Sequence, residues 1–314
     1  VYYPAPLANI SGELASALHG VNGEIDAATT QSLASDLRAA GHDSLAAVAK
    51  RLASADKAIV ASSLSDNAPP QTVSDAYLKL HLLSHRLVKP HGTDLSGIFA
   101  LLPNVAWTDE GAIDLDELPD LQLTARLSGK VLEVSSVDKF PKMTNYVVPT
   151  GVRIAHSARV RLGAYLGSGT TVMHEGFINF NAGTEGPGMV EGRISAGVIV
   201  GKGSDLGGGC STMGTLSGGG NIIISVGEEC LIGANAGLGI PLGDRCTIEA
   251  GLFVTAGTKV ALLDDARNVV ETVAARDLAS RSDLLFRRNS LSGSVECVTN
   301  KTAIELNESL HANN

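Results

Sequence analysis

The sequence lacks the marks of secreted and membrane proteins. Only four of its 314 residues are cysteine, and none of them forms a C-x-x-C pair, so no disulfide scaffold is expected. No apolar run reaches the roughly 18 residues that a membrane-spanning helix needs, and the opening VYYPAP carries no signal-peptide pattern. The opening also lacks an initiator Met, which predicts a short truncation in front. We therefore expect a soluble, cytoplasmic protein whose thiols are reduced.

Clusters of positive charge are absent as well. The 24 Lys plus Arg are outnumbered by 33 Asp plus Glu, which gives a net charge of −9, and basic residues form no long run. Nucleic acids and anionic membranes are bound by clustered Lys and Arg, so neither partner is expected. An apolar fraction of 44% excludes disorder as the overall state. Small-molecule ligands are the expected partners.

Aromatic residues are scarce, at 4%, whereas glycine is unusually common. Of the 35 glycines, 26 fall between Gly151 and Gly257, which is about a third of the chain. Such a change of composition predicts a domain boundary near residue 150. We accordingly predict three parts: an N-terminal domain over residues 1–148, a second domain over 149–262, and a C-terminal cap over 263–314.

Residues 1–148 are predicted to form a mixed α/β domain. Apolar residues recur at helical spacing from Gln31 to Ser54 and again from Ser74 to Leu87, so both stretches are predicted helices. Residues 121–148 contain the alternating run KVLEVSSV and are predicted to be rich in strands.

Branched apolar residues recur every six positions in the glycine-rich part. The positions that follow this period are Ile154, Val160, Leu166, Val172, Ile178, Ile194, Val200, Leu206, Val226, Ile232, Leu238, Leu242, Ile248, Val254 and Val260. A period of six fits neither a helix nor a simple strand alternation. It fits a left-handed parallel β-helix of the hexapeptide-repeat type, in which three hexapeptides make one triangular coil with an apolar core. The alternation in LLFRRNSLSGSVECV further predicts a hairpin that caps this coil.

The period is interrupted between Ile178 and Ile194 and again between Leu206 and Val226. We interpret both breaks as insertions that loop out from the coil, where binding residues commonly lie. The first carries NFNAGTEGPGMVEGRIS and the second carries STMGTLSGGGNIII.

A triangular β-helix has flat faces on which subunits can pack, so a trimer with sites between subunits is expected. Zinc-dependent hydration of carbon dioxide needs three histidines, and the coil has only His156 and His174. Acyl transfer from a coenzyme A thioester needs a group that takes a proton from the attacking amine. Glu191 is the best candidate, with Arg193 on the same side of its strand, and Glu175 is the alternative.

Several motifs resemble the tetrahydrodipicolinate N-succinyltransferase family, in its bacterial branch with a long N-terminal domain. They are LHLLSHRLVKPHG, SVDKFPKMTNYVVPTGVRI, GTTVMHEGFINFNAGT, MVEGRISAG, MGTLSGGG, IGANAGLGIPLGD and LLFRRNSLSGSVE, and they cover most of the chain from about Asp75 onward. The resemblance implies transfer of the succinyl group of succinyl-CoA to the amino group of ring-opened tetrahydrodipicolinate, on the diaminopimelate and lysine route. It also implies a homotrimer with each site between two subunits.

The resemblance implies roles for individual residues. The glutamate of the M-V-E-G-R motif is Glu191, expected to act as a general base or as an acyl carrier. Arg193 is expected to hold a carboxylate through two hydrogen bonds, and Ser211 and Gly208 are expected where donor and acceptor meet. The other positions implied to bind CoA are Ala234, Glu249, Ala250 and Gly257 along the pantetheine arm, and Arg287, Arg288, Asn289 and Ser290 near the phosphates.

Two positions depart from the family pattern. An acidic residue that joins its trimer mates around a divalent cation corresponds to Ala158, whereas a second acidic position is kept as Glu175. Three copies of Glu175 could hold one Mg²⁺ or Ca²⁺ on the trimer axis. A lysine expected near CoA corresponds to Ala274. These departures leave open a paralogue that uses acetyl-CoA or another acceptor, or a weakly active CoA-binding partner in mixed trimers.

Overall fold

The computed structural model describes residues 1–10, 12–18, 20–214 and 222–299. The chain divides into two compact units. The first unit comprises Val1–Leu82 and Thr93–Pro141, and the second comprises Leu83–Gly92 and Lys142–Asn314. In the described residues, no helix has the length and apolar character that crossing a membrane requires.

The first unit combines helices with two small antiparallel sheets. Its elements are α1 (Gly12–Ala17), β1 (Gly23–Ile25), α2 (Ala27–Ala39), α3 (Asp43–Leu52), β2 (Ile59–Ala61), α4 (Val73–Ser84, which runs into the second unit), α5 (Ile98–Leu101), β3 (Val105–Thr108), β4 (Gly111–Asp114), α6 (Leu118–Leu127) and β5 (Val134–Asp138). Strand β1 pairs with β2, and β3 lies between β4 and β5. Ala17, Leu37 and Ala46 form a small core beneath α1, α2 and α3.

The helices α2, α3 and α4 confirm the two predicted helical stretches. Helix α2 begins at a capping contact in which Asp26 accepts a hydrogen bond from the backbone N–H of Thr29. The strand prediction for residues 121–127 is wrong, because these residues belong to α6. Proline in the first turn and the helix-forming residues Leu, Gln, Ala and Arg favour the helix there.

The second unit contains a left-handed parallel β-helix. Its coil strands are β6 (Arg153–Ile154), β7 (Ala164–Leu166), β8 (Thr170–Val172), β9 (Phe177–Ile178), β10 (Ala182–Thr184), β11 (Gly188–Val190), β12 (Arg193–Ile194), β13 (Ile199–Val200), β14 (Asp205–Leu206), β15 (Ser211–Thr212), β16 (Ser225–Val226), β17 (Leu231–Ile232), β18 (Gly237–Gly239), β19 (Thr247–Ile248) and β20 (Phe253–Thr255). Strands β6, β8, β11, β14, β17 and β19 make face A. Strands β9, β12, β15, β18 and β20 make face B, and β7, β10, β13 and β16 make face C.

The apolar residues of the six-residue period form the core of the coil, as predicted. Every one of them except Ile154 is at most 3% exposed. They stack in register between coils, as in the pairs Ile178 with Ile194 and Leu206 with Ile232. The single buried side chain per hexapeptide therefore accounts for the architecture.

The first interruption of the period is not an insertion, and that interpretation was wrong. Thr184 pairs with Leu166 and Val200, and it is 1% exposed, so it fills the core position that the apolar pattern missed. Val190 likewise pairs with Val172 in face A. In this interruption the coil is short between β11 and β12, where the core residues Val190 and Ile194 are four positions apart. In the second interruption, Thr212 continues the core, and residues 215–221 lie outside the described residues.

Two hairpins follow the coil, and the predicted terminal hairpin is one of them. Strand β21 (Lys259–Leu263) pairs antiparallel with β22 (Val269–Ala274), and β23 (Leu284–Arg288) pairs antiparallel with β24 (Val295–Thr299). Strand β23 also pairs in parallel with β19, which places Phe286 over Ile248. Phe286 is fully buried, so it closes the core at this end of the coil.

Candidate active site

The predicted site residues gather where face A passes into face B, which we call the A–B edge. The residue after each core residue of face A donates its backbone N–H to the next coil: Glu191 to Leu206, Gly207 to Ile232, Gly233 to Ile248, and Glu249 to Phe286, at 2.8 to 2.9 Å. These contacts stack Glu191 and Glu249 at two levels of one edge. Successive levels are about 4.8 Å apart, as in any sheet.

Small residues occupy the edge between the two glutamates. Gly208 accepts a backbone hydrogen bond from Asn235, and Ala234 accepts one from Gly251, so Gly208, Ala234 and Ala250 follow one another along the coil axis. Ala234 and Ala250 are exposed. An extended ligand lying along this edge would therefore meet backbone rather than bulky side chains.

Glu191 lies in the short turn between β11 and β12. A β-carbon on the next residue, Gly192, would lie 2.3 Å from Sγ of Cys210, so only glycine fits there. A β-carbon on Gly208 would lie 3.5 Å from Oε2 of Glu191. The carboxylate thus lies over the backbone of the next coil, and the tight turn that sequence analysis took for an insertion is what positions it.

Arg193 and Ser211 are neighbours on face B. Their strands pair in register, and Arg193 donates from Nε to Oγ of Ser211 at 2.9 Å. Arg193 is exposed, whereas Ser211 is buried. Within the described part of the chain, no residue accepts a hydrogen bond from the terminal amino groups of Arg193. A guanidinium that is oriented at Nε and open at its other end can bind a carboxylate through two parallel hydrogen bonds.

The thiol beside this pair does not compete as a reactive group. Burial raises the pKa of Cys210 to about 12, so the thiol stays protonated near neutral pH. The four cysteines are all free and buried. The carboxylate of Glu191 is therefore the group at this position that can accept a proton.

In the C-terminal hairpin, the residues predicted to bind the CoA phosphates fall into two pairs with different surroundings. Arg287 donates from Nε and Nη2 to Oε2 of Glu296 at 3.0 and 2.8 Å, and Asn289 donates to Oε1 at 2.8 Å. Glu296 is buried, and the hydrogen bonds from Asn289 and Arg287 lower the pKa of its carboxyl group. Arg287 and Asn289 thus already bind a carboxylate of their own chain, which sequence analysis missed although Glu296 interrupts the apolar run SVECV.

Arg288 and Ser290 are exposed, whereas Arg287 and Asn289 are half-buried. The backbone N–H of Arg288 donates to Oε2 of Glu249 at 2.7 Å, which joins the hairpin to the A–B edge. Gly257 lies apart from the edge, in the turn that leads away from face B after β20. The structure therefore places six of the predicted residues along one line: Glu191, Gly208, Ala234, Glu249, Ala250 and Arg288.

Glu175 also lies near the A–B edge, after β8. It accepts hydrogen bonds from Nδ1 of His174 at 2.8 Å and from Nη2 of Arg159 at 2.7 Å, and both contacts lower the pKa of its carboxyl group. Ala158 supplies no oxygen ligand. In the described ranges, no three His, Cys, Asp or Glu side chains come together as a metal site. Since both oxygens of Glu175 are engaged, these residues fit a divalent cation poorly.

Comparison with known proteins agrees with this architecture. The family model described as tetrahydrodipicolinate N-succinyltransferase middle matches residues 102–142, and the one described as hexapeptide repeat of succinyl-transferase matches residues 223–256. The chain is 68% identical to a 2,3,4,5-tetrahydropyridine-2,6-dicarboxylate N-succinyltransferase of Pseudomonas paraeruginosa, covering 100% of this chain and 93% of the relative. It is 59% identical to the Vibrio cholerae protein of the same name, covering 100% of this chain and 94% of the relative.

A solved structure is similar over nearly the whole chain. It is a crystal structure from Campylobacter jejuni, provisionally named a 2,3,4,5-tetrahydropyridine-2-carboxylate N-succinyltransferase. The TM-score is 0.80 at 35% sequence identity, and the match covers 93% of this chain and 84% of that chain.

Proposed function

The chain belongs to the tetrahydrodipicolinate N-succinyltransferase family, and we propose that it transfers the succinyl group of succinyl-CoA to the amino group of ring-opened tetrahydrodipicolinate, in diaminopimelate and lysine biosynthesis. The observation that supports this most is the line of small residues along the A–B edge. It begins at a carboxylate, Glu191, beside an open guanidinium, Arg193, and ends at an exposed arginine, Arg288.

Glu191 acts as the general base of a direct transfer. The amino nitrogen attacks the thioester carbonyl and forms the N–C bond, and Glu191 takes the proton that the nitrogen loses. The C–S bond then breaks, and Glu191 gives the proton to the departing CoA thiolate. These steps need one carboxylate, which is ionised at the start and is ionised again at the end.

Arg193 holds a carboxylate of the substrates while the bond forms. Both the succinyl group and the acceptor carry carboxylates, and the terminal amino groups of Arg193 suit one of them. Ser211 fixes the guanidinium through its contact with Nε. Holding the reacting groups in one geometry is itself a large part of acyl-transfer catalysis.

The donor extends from Glu191 along the edge. Its pantetheine arm follows Gly208, Ala234 and Ala250, and its phosphates lie near Arg288 and Ser290. Arg287 and Asn289 shape the hairpin by holding Glu296, so their donors are already engaged within the chain.

Further expectations accompany this assignment. The enzyme works in the cytoplasm as a homotrimer, with each site completed by a second copy of the chain, because the flat faces of a triangular coil suit such packing. Three copies of Glu175 could bind a divalent cation on the trimer axis only if each carboxylate released its contacts with Arg159 and His174.

The test is release of thiol from succinyl-CoA, with and without enzymatically generated tetrahydrodipicolinate, beside acetyl-CoA under the same conditions. We expect release that requires the acceptor and is much faster with succinyl-CoA. Equal or faster release with acetyl-CoA would assign a different donor. No acceptor-dependent release with either donor would refute the proposal.

A further inference from the structure

The outward side chains of face B form a row that extends beyond the residues already assigned. Strand register places Phe177 beside Arg193, Arg193 beside Ser211, Ser211 beside Gly237, and Gly237 beside Phe253. Arg193 and Ser211 lie in the candidate site. From Ser211, Gly237 and Phe253 continue the row toward the C-terminal end of the coil, parallel to the A–B edge.

Phe253 is the conspicuous member of this row. Its side chain is a large apolar group that remains 54% exposed, in a coil whose other outward residues are mostly small or polar. A β-carbon on Gly237 would lie 2.1 Å from Cδ1 and 2.3 Å from Cε1 of the ring. The ring therefore lies down against the backbone of the neighbouring coil, and it can do so only because residue 237 is glycine.

The ring also lies beside the path assigned to the donor. Phe253 follows Ala250 by three residues on one coil, and Gly237 follows Ala234 by three residues on the coil before it. Since neighbouring coils are about 4.8 Å apart, the ring that spans residues 237 and 253 flanks the part of the edge formed by Ala234 and Ala250. This part lies midway between Glu191 and Arg288.

The two sides of this stretch have different chemistry. Along the edge, Ala234 and Ala250 expose backbone, which can hydrogen-bond to amides. On face B, Phe253 offers an aromatic surface, which can cover methyl and methylene groups. A pantetheine arm has both kinds of group along its length, so the stretch matches it on both sides.

We propose that Phe253 binds the acyl donor, its ring forming the apolar wall of the groove that holds the pantetheine arm, with Gly237 as the residue that allows the ring to lie in place. The proposal rests on the proposed function, because it takes the A–B edge as the donor path. It predicts that Phe253 affects the binding of CoA and leaves the chemical step to Glu191 and Arg193.

The decisive variant is Phe253→Ala. The KM for succinyl-CoA should rise about 10- to 50-fold, because the arm loses an apolar surface of ring size. The kcat should stay within about twofold, and the KM for the acceptor should not change. Calorimetric titration with free CoA should show a similar loss of affinity. Phe253→Leu, which keeps an apolar side chain, should recover much of it.

Val270→Ala is the matched control. Val270 is another exposed apolar residue of the second unit, at 70% exposure on β22, and it lies outside the donor path. Its variant should keep both kinetic constants and the CoA affinity. Light scattering should give the same subunit number for all variants, and circular dichroism the same fold.

Two results would overturn the proposal. One is an unchanged CoA affinity in Phe253→Ala. The other is loss of the assembled oligomer in that variant together with a fall in kcat, because the ring would then belong to a subunit interface. If the unmodified protein transfers no succinyl group, the proposed function fails, and CoA titration still decides about Phe253. Weaker CoA binding by Phe253→Ala than by the unmodified protein would then uphold the proposal about Phe253. If neither of these two proteins bound CoA, the proposal would be rejected.

Discussion

The two ends of the A–B edge differ in how their charged side chains are used. At the Glu191 end, Arg193 is oriented by one hydrogen bond to Ser211 and keeps its terminal amino groups toward solvent. At the hairpin end, Arg287 gives two hydrogen bonds to the buried Glu296. An arginine in a family motif is therefore not by itself a ligand-binding group. An arginine that already binds a carboxylate of its own chain stabilises the structure, whereas an arginine without such a partner can bind a ligand.

The largest expected effect comes from removing the base. Glu191→Gln keeps the shape of the side chain and removes its charge, so kcat should fall about 1,000-fold. Glu271→Gln, an exposed position on β22, is the control and should leave kcat unchanged. Steady-state rates with succinyl-CoA and the acceptor provide the measurement. Near-normal turnover by Glu191→Gln would remove this residue from the mechanism.

The next effect tests the open guanidinium. Arg193→Lys keeps the charge but cannot form two parallel hydrogen bonds, so kcat/KM for the acceptor should fall about 100-fold. The same change at Arg153, an exposed arginine on face A, should have little effect. If the two lysine variants behaved alike, the position of Arg193 beside Ser211 would carry no special role.

The exposed arginine of the hairpin should have a smaller effect. Arg288→Ala should raise the KM for succinyl-CoA about 5- to 10-fold and leave kcat nearly unchanged, because an exposed charge contributes modestly to phosphate binding. Added salt should reduce the difference in KM between this variant and the unmodified enzyme, because salt screens the attraction between Arg288 and the phosphates. A fall in kcat without a change in KM would contradict this assignment.

The smallest effect on activity is expected from the occupied end. Glu296→Gln leaves Arg287 and Asn289 without a carboxylate partner, so the free energy of unfolding should fall by about 1 to 3 kcal/mol while kcat changes little. Thermal or urea unfolding at neutral pH measures it. A large loss of turnover with unchanged stability would instead place Glu296 in the reaction.

The same variant has a predictable pH dependence. The pKa of the Glu296 carboxyl group is lower in the fold than its ordinary value of 4.5. Its contribution to stability is therefore present above about pH 4.5 and is lost as the pH falls through the lowered value. The stability difference between the unmodified protein and Glu296→Gln should shrink on acidification. A difference that grew in acid would contradict the sign of this shift.

The sequence predicted the coil because one buried side chain per hexapeptide leaves a period that can be read directly. It failed at Thr184, where a polar side chain occupies a core position, and so mistook a short coil for an insertion. It also could not show that Arg287 faces Glu296, because that pairing depends on hairpin register. The position of Phe253 in the same row as Ser211 likewise depends on coil lengths, which a simple six-residue period does not give across residues 213–224.

The different roles of the two ends of the edge are tested most directly by measuring CoA binding in the absence of turnover. Calorimetric titration of free CoA into Glu191→Gln and Arg288→Ala, without acceptor, separates holding the donor from transferring its acyl group. The account predicts that Glu191→Gln binds CoA as tightly as the unmodified protein, whereas Arg288→Ala binds it about 5- to 10-fold more weakly. Equal weakening in both variants, or weakening only in Glu191→Gln, would contradict the division of the edge into a chemical end and a binding end.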